Sequence, residues 1–132
     1  DVCGTPIALG KIGVDSFHVA GHNDHITPWD AVYRSALLLG GEKRFVLSNS
    51  GHVQSIINPP GNPKAHYVLN PKLSGDPRAW YYDAAKAEGS WWPLWLEWMQ
   101  ARSGALRETG TTLGNASYPA MDPAPGQYVL VR

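Results

Sequence analysis

Residues 16–52, SFHVAGHNDHITPWDAVYRSALLLGGEKRFVLSNSGH, contain two short apolar runs separated by a stretch with helical periodicity. The first run, SFHVAG at 16–21, is rich in strand-forming residues and ends at a glycine. The second run, KRFVLS at 43–48, has the same character and leads into the polar turn NSGH at 49–52. The stretch therefore predicts a strand, a helix and a second strand, in that order.

The helix between the two runs is predicted to span residues 28–39. Thr27 is expected to be its N-cap, with Pro28 at the first helical position and Asp30 completing a capping-box pattern. The glycines at 40–41 can end it in a left-handed conformation. One face is apolar at spacings of three and four residues and is expected to contact the core, through Trp29, Val32, Tyr33, Ala36 and Leu37.

Asp24 and His52 each follow one of the two predicted strands. Two strands joined by a helix of this length normally lie parallel, with their carboxyl ends at the same edge of the sheet. Open α/β sheets bind their ligands at that edge. An acid followed by a histidine is also the order of an α/β-hydrolase triad, in which the acid orients the histidine as a base. The alternative is that Asp24 caps a turn and His52 is a solvated loop residue.

Three histidines, His18 in the first predicted strand and His22 and His25 in the loop after it, lie near Asp24 in sequence and raise the question of a metal site. Zinc favours imidazole and carboxylate ligands at about 2 Å, whereas His18 and His22 would lie about 13 Å apart in an extended strand. His25 follows Asp24 directly and is expected to point elsewhere. We therefore predict no metal site, with His18 as a hydrogen-bonded sheet residue and His22 as a turn residue.

The remainder of the chain is predicted in three parts after a strand-helix-strand unit at 14–57. Residues 58–77 are rich in proline and glycine and are expected to be turn and extended chain. Residues 78–104 are expected to be helical, with one helix over 77–87 capped by Asp76 and another over 91–102 capped by Ser90. The tail at 105–132 is expected to be extended over the surface.

Five tryptophans fall in the second half of the chain, at positions 80, 91, 92, 95 and 98. Trp91, Trp95 and Trp98 have the i, i+4, i+7 spacing of one helical face. Such a face is typical of a helix anchored on the domain, because aromatic rings bury a large area. The alternative is a surface that stacks on a sugar or binds a polymer, and the exposure of the rings decides between the two.

Composition limits the class of function. The chain has 132 residues, enough for one domain, with 11 basic and 11 acidic side chains. This balance provides no field to attract nucleic acid or an anionic membrane, and no apolar run approaches the length of about 20 residues that a membrane span needs. One cysteine and the absence of a signal-like start indicate a reducing, cytoplasmic compartment.

A nucleophile to complete a triad is missing from the sequence. No Gly-x-Ser-x-Gly or Gly-x-Cys-x-Gly motif occurs in the chain. Cys3, in DVCGTP, has no strand before it, no helix after it and no basic neighbour to activate it. We assign it no role.

The chain resembles the C-terminal part of polyhydroxyalkanoate synthases. The strings that carry the resemblance run in family order over nearly the whole chain. They are GTPIAL, AGHNDHITPWDAVYRSALLLGG, FVLSNSGHVQSIINPPGNPKA, GSWWPLWLEWMQARSG and YPAMDPAPGQYV. The resemblance implies the C-terminal portion of an α/β-hydrolase fold and a Cys, His, Asp triad, with Asp24 as the catalytic aspartate and His52 as the general base.

The resemblance further implies an acyltransferase that polymerises 3-hydroxyacyl-CoA into polyester and releases CoA, which is a substrate here, with no cofactor. The family's cysteine elbow lies upstream of every residue present, so the chain is expected to be the last third of a synthase and inactive alone. Its expected partners are the remainder of the enzyme, a second copy and the polyester granule. Gln54, two residues after His52, is a candidate for the acyl pocket. The alternative is a non-catalytic module that binds granules or a partner protein through an aromatic helix.

Overall fold

The computed structural model describes residues 1–131, which form a small α/β domain with a mixed four-stranded sheet and three helices. The strands are β1 (Ser16–Gly21), β2 (Lys43–Ser48), β3 (His66–Leu69) and β4 (Ala85–Glu88), and they lie in that order across the sheet. The helices are α1 (Trp29–Leu37), α2 (Pro77–Tyr82) and α3 (Trp92–Gln100), with short 3-10 turns at Leu9–Lys11 and Tyr128–Leu130.

The predicted strand-helix-strand unit is confirmed. Strands β1 and β2 are parallel, with Ser16 opposite Lys43 and Gly21 opposite Ser48, and their bounds are those expected from the sequence. Helix α1 connects them and packs on both. The carboxyl ends of β1 and β2 therefore lie at the same edge of the sheet.

The second half of the sheet departs from the prediction. Residues 58–77 are not entirely turn, because β3 lies within them and pairs antiparallel with β2. The helix predicted over 77–87 ends at Tyr82, and β4 follows it antiparallel to β3. The sequence of β4, AKAE, consists of helix-favouring residues, so pairing with β3 overrides local propensity there.

One face of the sheet packs under α1 and α2. Tyr33 of α1, Phe45 of β2 and Trp80 of α2 are at most 1% exposed, with ring centroids 5.0 to 5.2 Å apart. The polar atoms of the cluster are paired: the Tyr33 hydroxyl donates to Ser74 O, and the Trp80 indole donates to Asn70 O. Trp29, Val32 and Leu37 complete the apolar face of α1 that the sequence predicts.

The opposite face of the sheet contacts α3 and the turn that follows β2. Phe17 of β1 lies 6.2 Å from the Trp91 ring and 5.8 Å from the Trp98 ring. Helix α3 has no fully buried residue, and Trp95, Leu96 and Met99 are exposed on it. This face is therefore only partly covered within residues 1–131.

The tail from 105 to 131 consists of turns and irregular chain, with an isolated bridge between Gly114 and Pro119. Nearly all of its residues are exposed, and Arg132 lies outside the described residues. Within residues 1–131, no helix has the length and apolar character needed to cross a membrane.

Candidate functional site

The loops after β1 and β2 are joined by backbone hydrogen bonds that continue the parallel ladder beyond the strands. The amide of His22 donates to Ser48 O at 2.8 Å, and the amide of Asn23 donates to Ser50 O at 3.0 Å. The two loops are therefore fixed to each other before any side chain is considered. This brings Asp24 and His52 together although they are 28 positions apart in the sequence.

Asp24 accepts four hydrogen bonds. Its Oδ1 accepts from the amides of Ile26 at 2.9 Å and Thr27 at 3.0 Å. Its Oδ2 accepts from the Thr27 hydroxyl at 2.7 Å and from His52 Nδ1 at 2.8 Å. The carboxylate side chain is only 5% exposed, so its lone pairs are held in fixed directions.

The same contacts determine the charge of Asp24. Burial raises the pKa of the carboxyl, but the hydrogen bonds from Thr27, His52 and Ile26 outweigh burial and hold the pKa well below its ordinary value. Asp24 is therefore an ionised acceptor at neutral pH. An ionised carboxylate has no proton to donate, so the bond to His52 requires the imidazole to carry its hydrogen on Nδ1.

His52 is held differently from its partner. Its side chain is 45% exposed, and among the hydrogen bonds of residues 1–131 the bond to Asp24 is the only one that its ring makes. In the neutral ring the lone pair then lies on Nε2, which has no partner in the described part of the chain. The pair thus presents an oriented, accessible base nitrogen.

The turn carrying His52 is shaped by its backbone. Ser50 has a positive φ of 86°, a conformation that non-glycine residues rarely adopt and that is common at functional sites. The Ser55 amide donates to Gly51 O at 3.0 Å, and the Ser55 hydroxyl donates to His52 O at 3.4 Å. These bonds close a compact turn, so the position of His52 depends on its neighbours as well as on Asp24.

Gly21, at the end of β1, lies directly against this turn. A Cβ at this position would fall 2.8 Å from Ser55 Oγ and 3.1 Å from Ser50 O. Only glycine permits the two loops to approach this closely. The glycine that ends the first apolar run is therefore also a packing requirement of the site.

A cleft of about 160 Å³ opens at the pair. Apolar side chains from β1, α1 and the His52 turn form much of its wall. Its lining residues are Val19, Ala20, Gly21, Asp24, Thr27, Val32, His52, Ser55 and Ile56. The site can therefore offer a histidine base beside an apolar surface.

The other histidines of the quoted stretch do not join the pair. His18 Nε2 bonds the Ser16 hydroxyl at 2.8 Å within β1. The pKa of His18 is lowered, mainly by burial and to a smaller extent by the positive charge of Lys43. His22 bonds the Asn23 side chain and lies 5.4 Å from the Tyr81 ring, and His25 is exposed. Within residues 1–131 no group of three or more metal-binding side chains is present.

Gln54 and Cys3 lie outside the cleft at the pair. Gln54 is exposed and lines a neighbouring hollow of about 330 Å³, together with Asn49, Ser50, Ile57, Asn62 and Lys64. Its proposed role at an acyl pocket stays a prediction. Cys3 is exposed in a turn bracketed by a Val2–Thr5 bridge and is not among the residues that line the cleft.

Thr27 has a different role from the one that its position suggests. The predicted N-cap is wrong, because the cap position is Pro28 and no side chain caps α1. The Thr27 hydroxyl instead donates to Asp24 Oδ2 at 2.7 Å. The short spacing from Asp24 to Thr27 was the signal for this bond, since aspartate side chains commonly accept from groups two and three residues ahead.

The sequence also did not predict that residues at the start of α3 contact the turn that carries His52. Trp91 and Trp92 donate indole hydrogens to Ser55 O and Ile56 O of the His52 turn, at 2.8 and 3.0 Å. Both pairs are 36 residues apart. No local sequence pattern connects positions at this separation.

Comparison with curated proteins gives similarity along the whole chain, although no protein-family model matches it. The chain is 73% identical to poly(3-hydroxyalkanoate) polymerase 2 and 53% identical to poly(3-hydroxyalkanoate) polymerase 1 of Ectopseudomonas oleovorans, each over 132 residues. It is 43% identical over 131 residues to the poly(3-hydroxyalkanoate) polymerase subunit PhaC of Cupriavidus necator. The matches cover 24%, 24% and 22% of those proteins, so the chain spans about a quarter of their length and not the expected third. By sequence, the chain is a homologue of the C-terminal part of the poly(3-hydroxyalkanoate) polymerases.

Proposed function

We propose that this chain supplies the aspartate and the histidine of a Cys, His, Asp triad in a poly(3-hydroxyalkanoate) polymerase. The observation that carries the proposal is the 2.8 Å bond between Asp24 Oδ2 and His52 Nδ1 at the carboxyl edge of two parallel strands. In triads of this kind the acid fixes the histidine tautomer and leaves Nε2 as the base. The similarity to named polymerases supports acyl transfer as the reaction class.

In the proposed reaction, His52 Nε2 removes the proton from a cysteine thiol that lies outside this chain. The thiolate attacks the carbonyl of a 3-hydroxyacyl-CoA, the carbon–sulfur bond to CoA breaks, and CoA leaves as a thiol with the proton from His52. A hydroxyl of a monomer or of the polyester chain end then attacks the enzyme thioester and frees the cysteine.

A base must deprotonate that hydroxyl, and Asp24 and His52 are the two candidates at the site. The lowered pKa of Asp24 makes it a weak base, and its oxygens already accept four hydrogen bonds. We therefore assign the second proton transfer to His52 as well. Asp24 orients the ring in both steps.

The proposal places the chain in an α/β-hydrolase fold whose other strands lie outside it. Strand β1 is an edge strand that is parallel to β2, as expected if a further parallel strand pairs with it. The incomplete cover of the α3 face is in line with a missing layer. On this account the isolated chain has no polymerase activity, and it is expected to require the remainder of the enzyme or to self-associate.

Replacement of His52 tests the proposal in a chimera whose C-terminal quarter is this chain and whose remainder is polymerase 2 of Ectopseudomonas oleovorans. We expect H52A to reduce the rate of CoA release by about a thousandfold or more. The matched control is H25A, which alters an exposed histidine beside Asp24 and should keep the rate. Equal rates in the two variants would contradict the proposal.

A second candidate function is binding of a polyester granule or a partner protein through α3. It is favoured by the exposure of Trp95, which is 41%, next to the exposed Leu96 and Met99. We expect W95A to weaken co-sedimentation of the chain with polyester granules if this function is correct. Y82A, which removes an exposed aromatic ring from α2, is the control, and equal binding by both variants would exclude the function for this helix.

A further inference from the structure

Three consecutive side chains at the start of α3 donate hydrogen bonds to the turn that carries His52. The Ser90 hydroxyl donates to Asn58 O, the Trp91 indole donates to Ser55 O at 2.8 Å, and the Trp92 indole donates to Ile56 O at 3.0 Å. The Ser90 oxygen also accepts from the Trp92 amide at 3.0 Å, which fixes the donors relative to one another. We call residues 90–92 the indole clamp.

The three acceptor carbonyls lie at the end of the His52 turn. Among the hydrogen bonds of residues 1–131, Ser55 O and Asn58 O accept only from the clamp, and a buried carbonyl must find a donor. Ile56 O also accepts from the Asn58 amide, at 3.0 Å, so the Trp92 indole is its second donor. Ser55 and Asn58 are at most 2% exposed, so water does not readily replace the Ser90 and Trp91 donors, whereas Ile56 is exposed. The clamp therefore satisfies two buried carbonyls of the turn and adds a second donor to Ile56 O.

Ser55 links the clamp to His52 itself. It accepts from Trp91 through its carbonyl, its amide donates to Gly51 O, and its hydroxyl donates to His52 O. A short path of hydrogen bonds therefore runs from the Trp91 indole to the backbone of the histidine. A shift of Ser55 moves His52 relative to Asp24.

The clamp is anchored on the same strand that leads to Asp24. The Trp91 ring packs 6.2 Å from Phe17 of β1 and is 7% exposed. Asp24 follows β1 by three residues. Both members of the pair are thus positioned relative to one strand, Asp24 through the chain and His52 through the clamp.

We propose that Ser90, Trp91 and Trp92 are positioning residues that hold the His52 turn so that the histidine meets Asp24 in the geometry of a base. The inference rests on the proposed function of the pair. It gives the two tryptophans a role in the rate of acyl transfer that depends on their N–H groups. A purely apolar anchor would require only their bulk.

Phenylalanine substitutions separate the two roles, because phenylalanine keeps an aromatic ring but has no N–H. W91F and W92F are compared with W98F, a matched control on the same helix. Trp98 packs on Phe17 and under Arg102, and among the hydrogen bonds of residues 1–131 none uses its indole N–H. Trp92 is less buried than Trp91, so W92F tests the idea even if W91F does not fold.

The measurement is steady-state CoA release by the polymerase 2 chimera described above, with kcat and KM determined separately. We expect W91F and W92F each to lower kcat about tenfold with KM within about twofold, since misplacement of a catalytic group affects the chemical step. W98F should keep kcat within about twofold of the parent. If W91F and W92F match W98F while H52A abolishes activity, the clamp is refuted and the pair stands. If H52A itself retains activity, the proposed function fails first.

Discussion

Asp24 Oδ2 and His52 Nδ1 lie 2.8 Å apart, but the loops that carry the two residues are stabilised in different ways. The Asp24 side chain is 5% exposed and accepts four hydrogen bonds, three of them from Ile26 and Thr27. The His52 side chain is 45% exposed and has one bond, while its turn is held by residues far along the chain. The orienting group is therefore fixed locally, and the base is fixed through its backbone.

This difference suits the roles proposed for the two residues. An orienter works best when its lone pairs have fixed directions, as short-range hydrogen bonds provide. A base must present one nitrogen to a reacting group, so it cannot be enclosed by partners on both sides. Substitutions on the Asp24 side should alter charge and orientation, whereas substitutions on the His52 side should alter position.

The largest expected effect is that of D24N in the polymerase 2 chimera. The amide keeps the shape of the side chain but can donate a hydrogen to His52 and so favour the wrong tautomer. We expect kcat to fall by about a thousandfold to ten-thousandfold, as for other orienting acids. D30N, at an exposed carboxylate on α1 paired with Arg34, is the control. A loss below about tenfold would contradict the role of Asp24.

A smaller effect is expected at the point where the two loops touch. In G21A the new methyl group meets Ser50 O and the Ser55 side chain, so the turn must move away from β1. We expect a loss of stability of about 1–3 kcal/mol, measured by urea unfolding of the 132-residue chain. Gly13, which has open space around it, provides the control G13A. Equal stability of the two variants would mean that the close approach is not required.

Acid unfolding tests the hydrogen bonds that hold the Asp24 carboxylate in its ionised form. Because the pKa of Asp24 is lowered on folding, its ionisation stabilises the fold above the ordinary carboxyl value of about 4, and that stability is lost as the pH falls towards the lowered value. T27V removes one donor and should raise the pKa of Asp24. We expect the acid midpoint, followed by circular dichroism, to move to higher pH than in T112V, a tail control. A midpoint equal to that of T112V would count against the Thr27 bond.

The smallest effect is expected at Gln54 on the exposed side of the His52 turn. If Gln54 borders the acyl pocket, Q54A should alter the ratio of kcat/KM between short and medium 3-hydroxyacyl-CoA substrates by about two- to fivefold, with little change in the best rate. The control is Q100A at the end of α3. An unchanged ratio would remove Gln54 from the pocket.

The site could be predicted from sequence where local signals and one topological rule sufficed. Two apolar runs and a periodic stretch predicted β1, α1 and β2, and parallel connection then brought Asp24 to His52. The Thr27 hydroxyl was predicted to accept from helix amides as an N-cap, but it donates to the Asp24 carboxylate and no side chain caps α1. Propensity missed β4, whose residues favour helix and whose strand conformation depends on pairing with β3.

The support of the His52 turn could not be predicted by the same reasoning. The helical spacing of Trp91, Trp95 and Trp98 predicted burial, and Trp91 is buried whereas Trp95 is exposed. The indole N–H groups of Trp91 and Trp92 bond to residues 36 positions earlier, and these bonds depend on the packing of α3 against β1. Contacts at this separation have no local signature, so only the folded chain reveals them.

A double-mutant cycle measures whether Asp24 and His52 act as one catalytic unit. The rates of CoA release are measured in the polymerase 2 chimera for D24N, H52A and the double variant. Residues that act as a unit are strongly non-additive, so the double variant should be no slower than H52A within about threefold. If the two losses multiply instead, Asp24 and His52 act independently and do not form a catalytic unit.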